Sequence, residues 1–217
     1  MDIEQARFNM VEQQIRPWDV LDQSVLDLLF KVRREEFVPA PYRSLAFVDM
    51  EIPLGHGESM WSPKLEARCM QSLQLRKTDR VLEIGTGSGY LTALLASLAA
   101  KVHSVDIHAD FLKDAEARLK AHGFGNVTLE AGDASHGWES HAPYDVIVVT
   151  GSLPIMPDML LAQLAPGGRL FAVVGDAPVM NAQLVTCTSR GVYRSENLFE
   201  TSQKPLVNAL QPERFTF

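Results

Sequence analysis

The sequence predicts an α/β fold in which a mostly parallel β-sheet is covered by helices on both faces. Two observations support this prediction. Between residues 80 and 174, short apolar strand patterns alternate with helical patterns, and one of the strands ends in a glycine-rich turn that begins at Gly85. Strands that alternate with helices pair in parallel, because each crossover returns the chain to the same end of the sheet.

In the N-terminal third of the chain, the residue pattern predicts helices followed by an irregular region. Apolar residues at helical spacing indicate one helix over residues 4–16, which Pro17 ends, and a second over 22–32. Residues 45–62 contain glycines and prolines that break long elements, so we expect a loop or short strands there. A third helix is expected from Pro63 to about Leu75, with Ser62 as its N-cap.

The remainder of the chain predicts the sheet and its covering helices. Apolar runs bounded by turn residues indicate strands, and longer periodic runs indicate helices. A turn is expected over 165–168, and the last two strands should form an antiparallel hairpin. The expected strands are 81–84, 101–106, 126–130, 145–150, 168–174, 183–187 and 192–199, and the expected helices are 89–99, 110–121 and 157–164.

Length and composition indicate which class of protein this is. A chain of 217 residues with 46% hydrophobic and 22% charged residues is typical of one globular domain. We predict a single domain over 1–217, made of an N-terminal helical extension and loop over 1–75 and an α/β core over 76–217. The sequence shows no secretory leader and no long apolar run, so we expect a cytoplasmic protein that does not enter a membrane.

Net charge argues against a nucleic-acid-binding protein, and the spacing of cysteines and histidines argues against a metal site. The net charge of −7 and the scattered Lys and Arg residues disfavour a nucleic-acid surface, which needs clustered positive charge. The two cysteines, Cys69 and Cys187, do not form a Cys-x-x-Cys motif, and the six histidines show no metal-binding spacing. We therefore predict plain thiols and no metal site.

The glycine turn favours a nucleotide-like ligand. Gly85, Gly87 and Gly89 stand at alternate positions between a strand and a helix, where residues without a Cβ allow close approach and helix N–H groups face the ligand. The dinucleotide fingerprint G-x-G-x-x-G/A requires a small residue at position 90, which is Tyr90, so the spacing disfavours NAD. A glycine-rich turn without a ligand remains the alternative.

Acidic residues lie where such a ligand would be held. Asp106 ends the second strand of the core, where its carboxylate can accept hydrogen bonds from ribose hydroxyls or simply begin the next turn. Asp133 follows the third strand and suits either an adenine amino group or a Gly-Asp turn. Glu83 lies inside an apolar strand and needs a partner, for which the cationic end of a cofactor is one candidate.

The pattern Glu83-x-Gly85-x-Gly87-x-Gly89 resembles motif I of the class I methyltransferases that use S-adenosylmethionine. Over nearly its whole length the chain also resembles the protein-L-isoaspartate O-methyltransferase family. The resemblance implies a Rossmann-like methyltransferase sheet, S-adenosylmethionine as cofactor with S-adenosylhomocysteine as product, and repair of damaged proteins by methylation of L-isoaspartyl carboxyl groups. It also implies a monomer or weak homodimer. The matching blocks are 32–39, 52–57, 81–90, 132–133, 142–150 and 163–170.

The same resemblance, together with the strand-end positions, assigns the candidate site residues. The candidate cofactor-binding residues are Glu83, Gly85, Thr86, Gly87, Gly89, Asp106, Ile107, Asp133, Ala134 and Thr150. The candidate substrate-binding residues are His56, Gly57, Glu58, Trp61, Pro205, Leu206 and Val207. Ser59 and Ser62 are the candidate catalytic hydroxyls.

The chain departs from the family in the substrate loop. The family pattern G-x-G-Q-T-I-S-x-P reads G-H-G-E-S-M-W-S-P over residues 55–63, so Glu58 replaces Gln and Trp61 replaces the serine treated as the active-site residue. Both changes alter the charge and volume of the loop and argue against an identical substrate. Near the C-terminus, Pro205-Leu206-Val207 remains while its flanks differ, and the aromatic residues Phe215 and Phe217 either cover the site or pad the core.

Other functions therefore remain open at this point. The same fold can methylate another carboxylate or hydroxyl compound, or can bind the cofactor without catalysis. A nicotinamide dehydrogenase is the third alternative. Because a carboxylate is already ionised near neutral pH, its methylation needs positioning more than a general base, so the loss of one hydroxyl at position 61 is compatible with activity.

Overall fold

The computed structural model describes residues 2–213, and its N-terminal segment is helical but irregular. Helix α1 spans Ile3–Asn9 and is capped by Asp2, whose side chain accepts hydrogen bonds from the N–H groups of Glu4 and Gln5. The predicted helix over 4–16 then continues as a π-helical turn, Met10–Ile15, and a 3-10 turn, Arg16–Trp18. Pro17 has no N–H and cannot extend an α-helix, which explains the change of winding before it.

The second and third helices frame a small β-hairpin. Helix α2 spans Gln23–Lys31, and strands β1 (Ile52–Gly55) and β2 (Glu58–Met60) pair antiparallel within the region expected to hold a loop or short strands. Helix α3 spans Pro63–Leu73 and begins at the predicted residue. Ser62 occupies the predicted N-cap position, although its side chain makes no capping hydrogen bond.

A seven-stranded sheet forms the body of the protein, with the order β5-β4-β3-β6-β7-β8-β9. Strands β5, β4, β3, β6 and β7 pair in parallel, while β8 and β9 pair antiparallel at one edge, which confirms the predicted fold class and C-terminal hairpin. The strands are β3 Arg80–Ile84, β4 Lys101–Asp106, β5 Val127–Ala131, β6 Tyr144–Leu153, β7 Leu164–Asp176, β8 Val179–Ser189 and β9 Val192–Glu200. The helices of this region are α4 Tyr90–Leu98, α5 Ala109–Ala121 and α6 Asp158–Ala162.

Two elements of the sheet differ from the sequence prediction. The turn expected over 165–168 lies inside β7, where the pairing with β6 shifts between Leu164 and Arg169. Strand β6 extends beyond its expected end, and Ser152 there pairs with Val173 of β7. The C-terminal segment bonds the same residue: the N–H of Ser152 donates to the carbonyl of Lys204, and the N–H of Leu206 donates to the carbonyl of Ser152. None of these contacts is visible in the local pattern.

Apolar side chains bury both faces of the sheet. On one face, residues such as Val81 and Val102 pack with the N-terminal helices, α3 and α4, and on the other, residues such as Leu82 and Ile147 pack beneath α6. This two-sided burial explains why the strands read as nearly continuous apolar runs. Within residues 2–213, no helix is long and apolar enough to cross a membrane. The predicted role of Phe215 and Phe217 lies outside the described residues.

Candidate functional site

The glycine turn sits at the carboxyl end of β3, between β3 and α4. Gly85, Gly87 and Gly89 all have positive φ, at 97°, 51° and 82°. A Cβ on Gly85 would lie 2.0 Å from Oγ1 of Thr150. That hydroxyl donates a hydrogen bond to the carbonyl of Ile84 at 2.9 Å, so this part of β6 is in direct contact with the turn. Glycine is therefore required at position 85 by the approach of β6 as well as by its backbone conformation.

Asp106 organises the edge of the sheet beside this turn. Its Oδ2 accepts a hydrogen bond from the N–H of Gly87 at 2.9 Å, and its Oδ1 accepts one from the N–H of His108 at 2.8 Å. The side chain thus ties the glycine turn to the start of α5. A carboxylate has about four lone-pair positions, so Asp106 keeps acceptor capacity for ligand hydroxyls.

Asp133 follows β5 and is held by two hydrogen bonds. Its Oδ1 accepts from the N–H of Ser135 at 2.9 Å and its Oδ2 accepts from Nδ2 of Asn208 at 2.8 Å. Burial alone would raise the pKa of Asp133, but the hydrogen bonds from Ser135 and Asn208 outweigh it and lower the pKa. Asp133 is therefore ionised near neutral pH and begins a turn, as one of the two sequence interpretations predicted.

These strand ends open into a cleft of about 1050 Å³, counting the part open to solvent. The glycine turn and the ends of β4 and β5 form one side, and the β1–β2 hairpin and the segment 203–207 form the other. The structure brings together most of the predicted site residues here. The lining includes Gly85, Thr86, Gly87, Asp106, Ile107, Asp133, Ala134 and Thr150, and also Gly57, Glu58, Ser59, Trp61, Pro205, Leu206 and Val207.

Four predicted site residues do not line the cleft. Gly89 occupies the N-cap position of α4, where a Cβ would lie 3.0 Å from Ala115 of the neighbouring helix. Ser62 begins α3 outside the lining, and Nε2 of His56 is hydrogen-bonded to Asp110 at 2.9 Å on the exposed side of the hairpin. Gly89 and Ser62 therefore have positions that helix geometry explains, and His56 already has a protein partner.

Glu83, the fourth, is fully buried beneath the glycine turn. Its Oε2 accepts hydrogen bonds from Oγ1 of Thr92 at 2.5 Å and from Oγ of Ser104 at 2.6 Å. Burial raises its pKa from 4.5 to about 8, and the two hydroxyls only partly oppose this. Glu83 is fully buried and does not line the cleft, so the structure does not place it where contact with the cationic end of a cofactor was expected.

The buried Glu83 predicts a specific pH dependence. Since its folded pKa is raised above the unfolded value, the stability that the protonated group contributes is complete below about pH 4.5 and is lost as the pH rises towards 8. Glu83→Gln, which mimics the neutral carboxyl, should gain stability relative to the wild type over this range, by on the order of a few kcal/mol. Urea unfolding at several pH values measures the difference.

The control for this experiment is Glu116→Gln, which neutralises an exposed carboxyl on α5. A stability difference between Glu83→Gln and the wild type that does not change from pH 5 to pH 8 would contradict the protonated state of Glu83.

The sequence analysis assigned no role to Arg34, which supports the hairpin side of the cleft at Trp61. Arg34 is fully buried and forms an ion pair with Glu66, and its other nitrogens donate to the carbonyls of Ala46 at 2.9 Å and Trp61 at 2.6 Å. Burial raises the pKa of Glu66 to about 7, against the lowering effect of Arg34. The guanidinium thus holds the backbone at Trp61 in place. Arg34 lies in the matching block 32–39, which pointed to this segment. Its partner Glu66 lies far along the chain, so the sequence did not reveal the ion pair.

Lys204 is a second residue that the sequence analysis missed. Its Nζ forms an ion pair with Glu58 and donates to the carbonyl of Gly57 at 3.1 Å. The negative charge that Glu58 adds to the loop is therefore paired. This contact also joins the C-terminal segment to the β1–β2 hairpin on the same side of the cleft.

The side chain of Trp61 is buried, and its indole N–H is an unsatisfied hydrogen-bond donor within residues 2–213. The side chain is 5% exposed and packs edge to face on Phe171, with ring centroids 6.0 Å apart. Its indole Nε1 is buried and has no hydrogen-bond partner within residues 2–213. The residue that replaces the family serine is therefore part of the core and at the same time part of the cleft wall.

Comparison with known proteins assigns the chain. The family model described as protein-L-isoaspartate(D-aspartate) O-methyltransferase matches residues 5–210. The chain belongs to this family. Protein-L-isoaspartate O-methyltransferase 1 of Rhodopseudomonas palustris is 42% identical over 202 residues, which cover 93% of this chain and 82% of the relative. The enzyme of Gloeobacter violaceus is 42% identical over 198 residues, 91% of this chain and 97% of the relative.

Solved structures agree with this family assignment. A protein-L-isoaspartate O-methyltransferase superposes with a TM-score of 0.80 and 25% identity over 96% of this chain and 67% of that one. A putative family member from Plasmodium falciparum, solved with S-adenosyl-L-homocysteine, has a TM-score of 0.78 and 17% identity over 95% of this chain and 99% of that one, and it supports the fold. The family resemblance noted in the sequence is confirmed: the protein is an S-adenosylmethionine-dependent methyltransferase. The alternative of a nicotinamide dehydrogenase is therefore rejected.

The residues present in the cleft fit this cofactor. Asp106 offers a carboxylate at a strand end, Ile107 and Ala134 offer apolar surface, and the glycine turn offers backbone without side chains. His108 lines the same wall, and its buried Nε2 has no hydrogen-bond partner in the described part of the chain. A buried polar atom without a partner is unfavourable, so a ligand that supplies one would stabilise this wall.

Proposed function

We propose that this enzyme methylates the α-carboxyl group of L-isoaspartyl residues in damaged proteins, as a step of protein repair. The observation that carries the proposal is the single cleft in which the glycine turn and Asp106 face the β1–β2 hairpin and the segment 203–207. A cofactor held on the first side would meet a peptide held on the second. Family membership gives the reaction type, and the cleft gives the residues that would perform it.

On the cofactor side, Asp106 would accept hydrogen bonds from the ribose hydroxyls and Asp133 one from the adenine amino group. Gly85, Gly87 and Thr86 would let the ligand lie against the backbone, with Thr150 behind them. When bound, S-adenosylmethionine supplies an electrophilic methyl group. The net charge of −7 is compatible with a cationic ligand of this kind.

On the acceptor side, the chain's residues would orient a carboxylate that is already ionised, so no general base is required. Ser59 lines the cleft and would donate a hydrogen bond to this carboxylate, whereas Ser62 does not reach the lining. Lys204 pairs with Glu58 and thereby weakens its repulsion of the substrate. Trp61 and Leu54 would exclude water from the reacting groups.

The decisive experiment is transfer of labelled methyl groups from S-adenosylmethionine to an isoaspartyl peptide, with the matching aspartyl peptide as control. We expect labelling of the isoaspartyl peptide only. This result would also show that a hydroxyl at position 61 is dispensable. Absence of labelling in a sample that binds S-adenosylhomocysteine would overturn the acceptor assignment.

Trp61 favours a second candidate function, methylation of a different carboxylate or hydroxyl compound. The indole fills space that a serine would leave open in the acceptor wall, and its buried Nε1 has no partner within residues 2–213. An acceptor with an oxygen positioned for this N–H would satisfy it. Labelling of another acceptor, and of neither peptide, would support this alternative. Cofactor binding without transfer to any acceptor would instead indicate a non-catalytic binding protein.

We also propose that the enzyme acts in the cytoplasm, on proteins and not on nucleic acids, as a monomer or weak homodimer. The two buried, unpaired cysteines suit a reducing compartment, and the acidic net charge disfavours a phosphate-binding surface. The division into one domain over 1–217 stays a prediction. Light scattering of the purified chain at several concentrations would test the oligomeric state.

A further inference from the structure

The C-terminal segment 203–208 crosses the end of β6 and reaches both sides of the cleft. Ser152 of β6 is fully buried, donates its N–H to the carbonyl of Lys204 at 2.8 Å and accepts the N–H of Leu206 at 3.0 Å. A Cβ on Gly151 would lie 2.7 Å from Cδ2 of Leu206, so the segment packs directly on the strand. The backbone of this segment is therefore fixed relative to the sheet.

The segment ends in a turn that places Asn208 beside Asp133. The N–H of Ala209 donates to the carbonyl of Leu206 at 3.1 Å, and Asn208, the third of the four residues in this turn, has a φ of 62°. Asparagine tolerates positive φ better than most residues with a side chain. Nδ2 of Asn208 donates to Oδ2 of Asp133 at 2.8 Å. Because Leu206 and Ala209 both pack in the apolar core, the turn is anchored at its two ends.

Asp133 is oriented by two donors from separate parts of the chain. Its Oδ1 accepts the N–H of Ser135 at 2.9 Å, while Asn208 holds the other oxygen. One hydrogen bond would let the carboxylate rotate, whereas bonds to both oxygens fix its plane. Each oxygen has about two lone-pair positions, so Asp133 keeps acceptor capacity towards the cleft that it lines. Asn208 thus sets the direction of this remaining capacity.

We propose that Asn208 is a positioning residue for the cofactor, which fixes the Asp133 carboxylate in the orientation that accepts the 6-amino group of adenine. This role rests on the proposed function only for the contact between Asp133 and adenine. Asn208 itself does not line the cleft, so it acts through Asp133. The same segment carries Lys204, which pairs with Glu58 of the hairpin. Recognition of adenine therefore depends on the segment that forms the acceptor side.

The test compares two ligands by isothermal titration calorimetry. One is S-adenosylhomocysteine, and the other is its analogue with purine in place of adenine, which lacks only the 6-amino group. The wild type should bind S-adenosylhomocysteine about tenfold more tightly than the analogue. Asn208→Gly should weaken binding of S-adenosylhomocysteine by about three- to tenfold and change binding of the analogue by less than about twofold. Glycine accepts positive φ, so this variant removes the amide without straining the turn.

Two further substitutions test whether Asn208 acts through Asp133. Asp133→Ala should lower the affinity for S-adenosylhomocysteine towards that for the purine analogue. Adding Asn208→Gly to Asp133→Ala should have no further effect, because the carboxylate that Asn208 orients is already absent. Asn208→Asp has nearly the same shape but replaces the donor with a second carboxylate, and it should weaken binding at least as much as Asn208→Gly.

The control variant is Asn197→Ala, which changes an exposed asparagine on β9. It should bind both ligands with the affinity of the wild type. Melting of each variant without ligand establishes that it is folded before the titration, so a loss of affinity reports on the site and not on the amount of folded protein.

An equal loss for both ligands in Asn208→Gly would overturn the proposal, because the effect would not involve the 6-amino group. Unchanged affinity for S-adenosylhomocysteine in Asn208→Gly or in Asp133→Ala would overturn it as well. So would wild-type affinity in Asn208→Asp, or additive losses in the double variant. None of these readouts depends on methyl transfer to a peptide, so the role of Asn208 and the proposed acceptor can fail separately.

Discussion

Asp106→Ala is expected to weaken binding of S-adenosylhomocysteine by about 10- to 150-fold, the equivalent of roughly 1.5–3 kcal/mol for hydrogen bonds to a charged group. The carboxylate would lose its contacts to the ribose hydroxyls. In addition, the N–H groups of Gly87 and His108 would lose their acceptor, which would loosen the turn proposed to hold the cofactor. Isothermal titration calorimetry with the purified variant measures the effect directly.

Two further variants separate these contributions. Asp106→Asn keeps one acceptor oxygen in place, so we expect an intermediate loss of affinity. Asp114→Ala removes an exposed carboxylate from α5, outside the cleft, and should leave binding unchanged. Unchanged affinity in Asp106→Ala would remove this residue from the cofactor site. An equal loss in Asp106→Ala and Asp114→Ala would indicate a general charge effect instead.

Trp61→Ser is expected to destabilise the fold by about 3–5 kcal/mol, the usual cost of truncating a large buried aromatic side chain. The side chain is 5% exposed and packs on Phe171, so a serine would leave a cavity at the cleft wall. The same change restores the hydroxyl of the family loop. It should therefore raise kcat/KM on an isoaspartyl peptide, measured at a temperature where urea unfolding shows the variant to be folded.

Two control variants distinguish the stability and activity effects of Trp61. Trp61→Phe retains most of the packing but removes the indole N–H, so we expect a smaller loss of stability and no gain of activity from a hydroxyl. Trp18→Ser truncates a tryptophan that is 52% exposed and should change stability by about 1 kcal/mol or less. No increase in activity in a folded Trp61→Ser variant would show that this position is not the specificity determinant.

Much of the fold was predictable because it depends on local patterns. The alternation of strands and helices from β3 to β7, the glycine turn after Ile84 and the antiparallel hairpin of β8 and β9 follow from residues close in sequence. The extension of β6 to Leu153 was not predictable, since it depends on pairing with the end of β7 and with residues 204–206. The irregular pairing of Leu164 and Arg169 with β6 also depends on a partner strand.

That the candidate cofactor residues meet in one cleft was predictable for a related reason. Asp106 and Asp133 follow parallel strands, and the carboxyl ends of such strands meet at one edge of the sheet. Contacts between distant side chains were not predictable. The pairing of Arg34 with Glu66, and the hydrogen bond from Asn208 to Asp133, require elements whose relative positions only the folded sheet sets.

The sequence by itself determined the order of the elements, the glycine turn, the acidic residues at the strand ends and the family. The tertiary structure alone decided that Glu83 is buried and that burial raises its pKa, that Lys204 pairs with Glu58 and that Trp61 belongs both to the core and to the cleft. Backbone conformation follows from neighbouring residues, whereas burial, protonation and charge pairing depend on which distant segments pack together, because they are set by the surrounding solvent and charges.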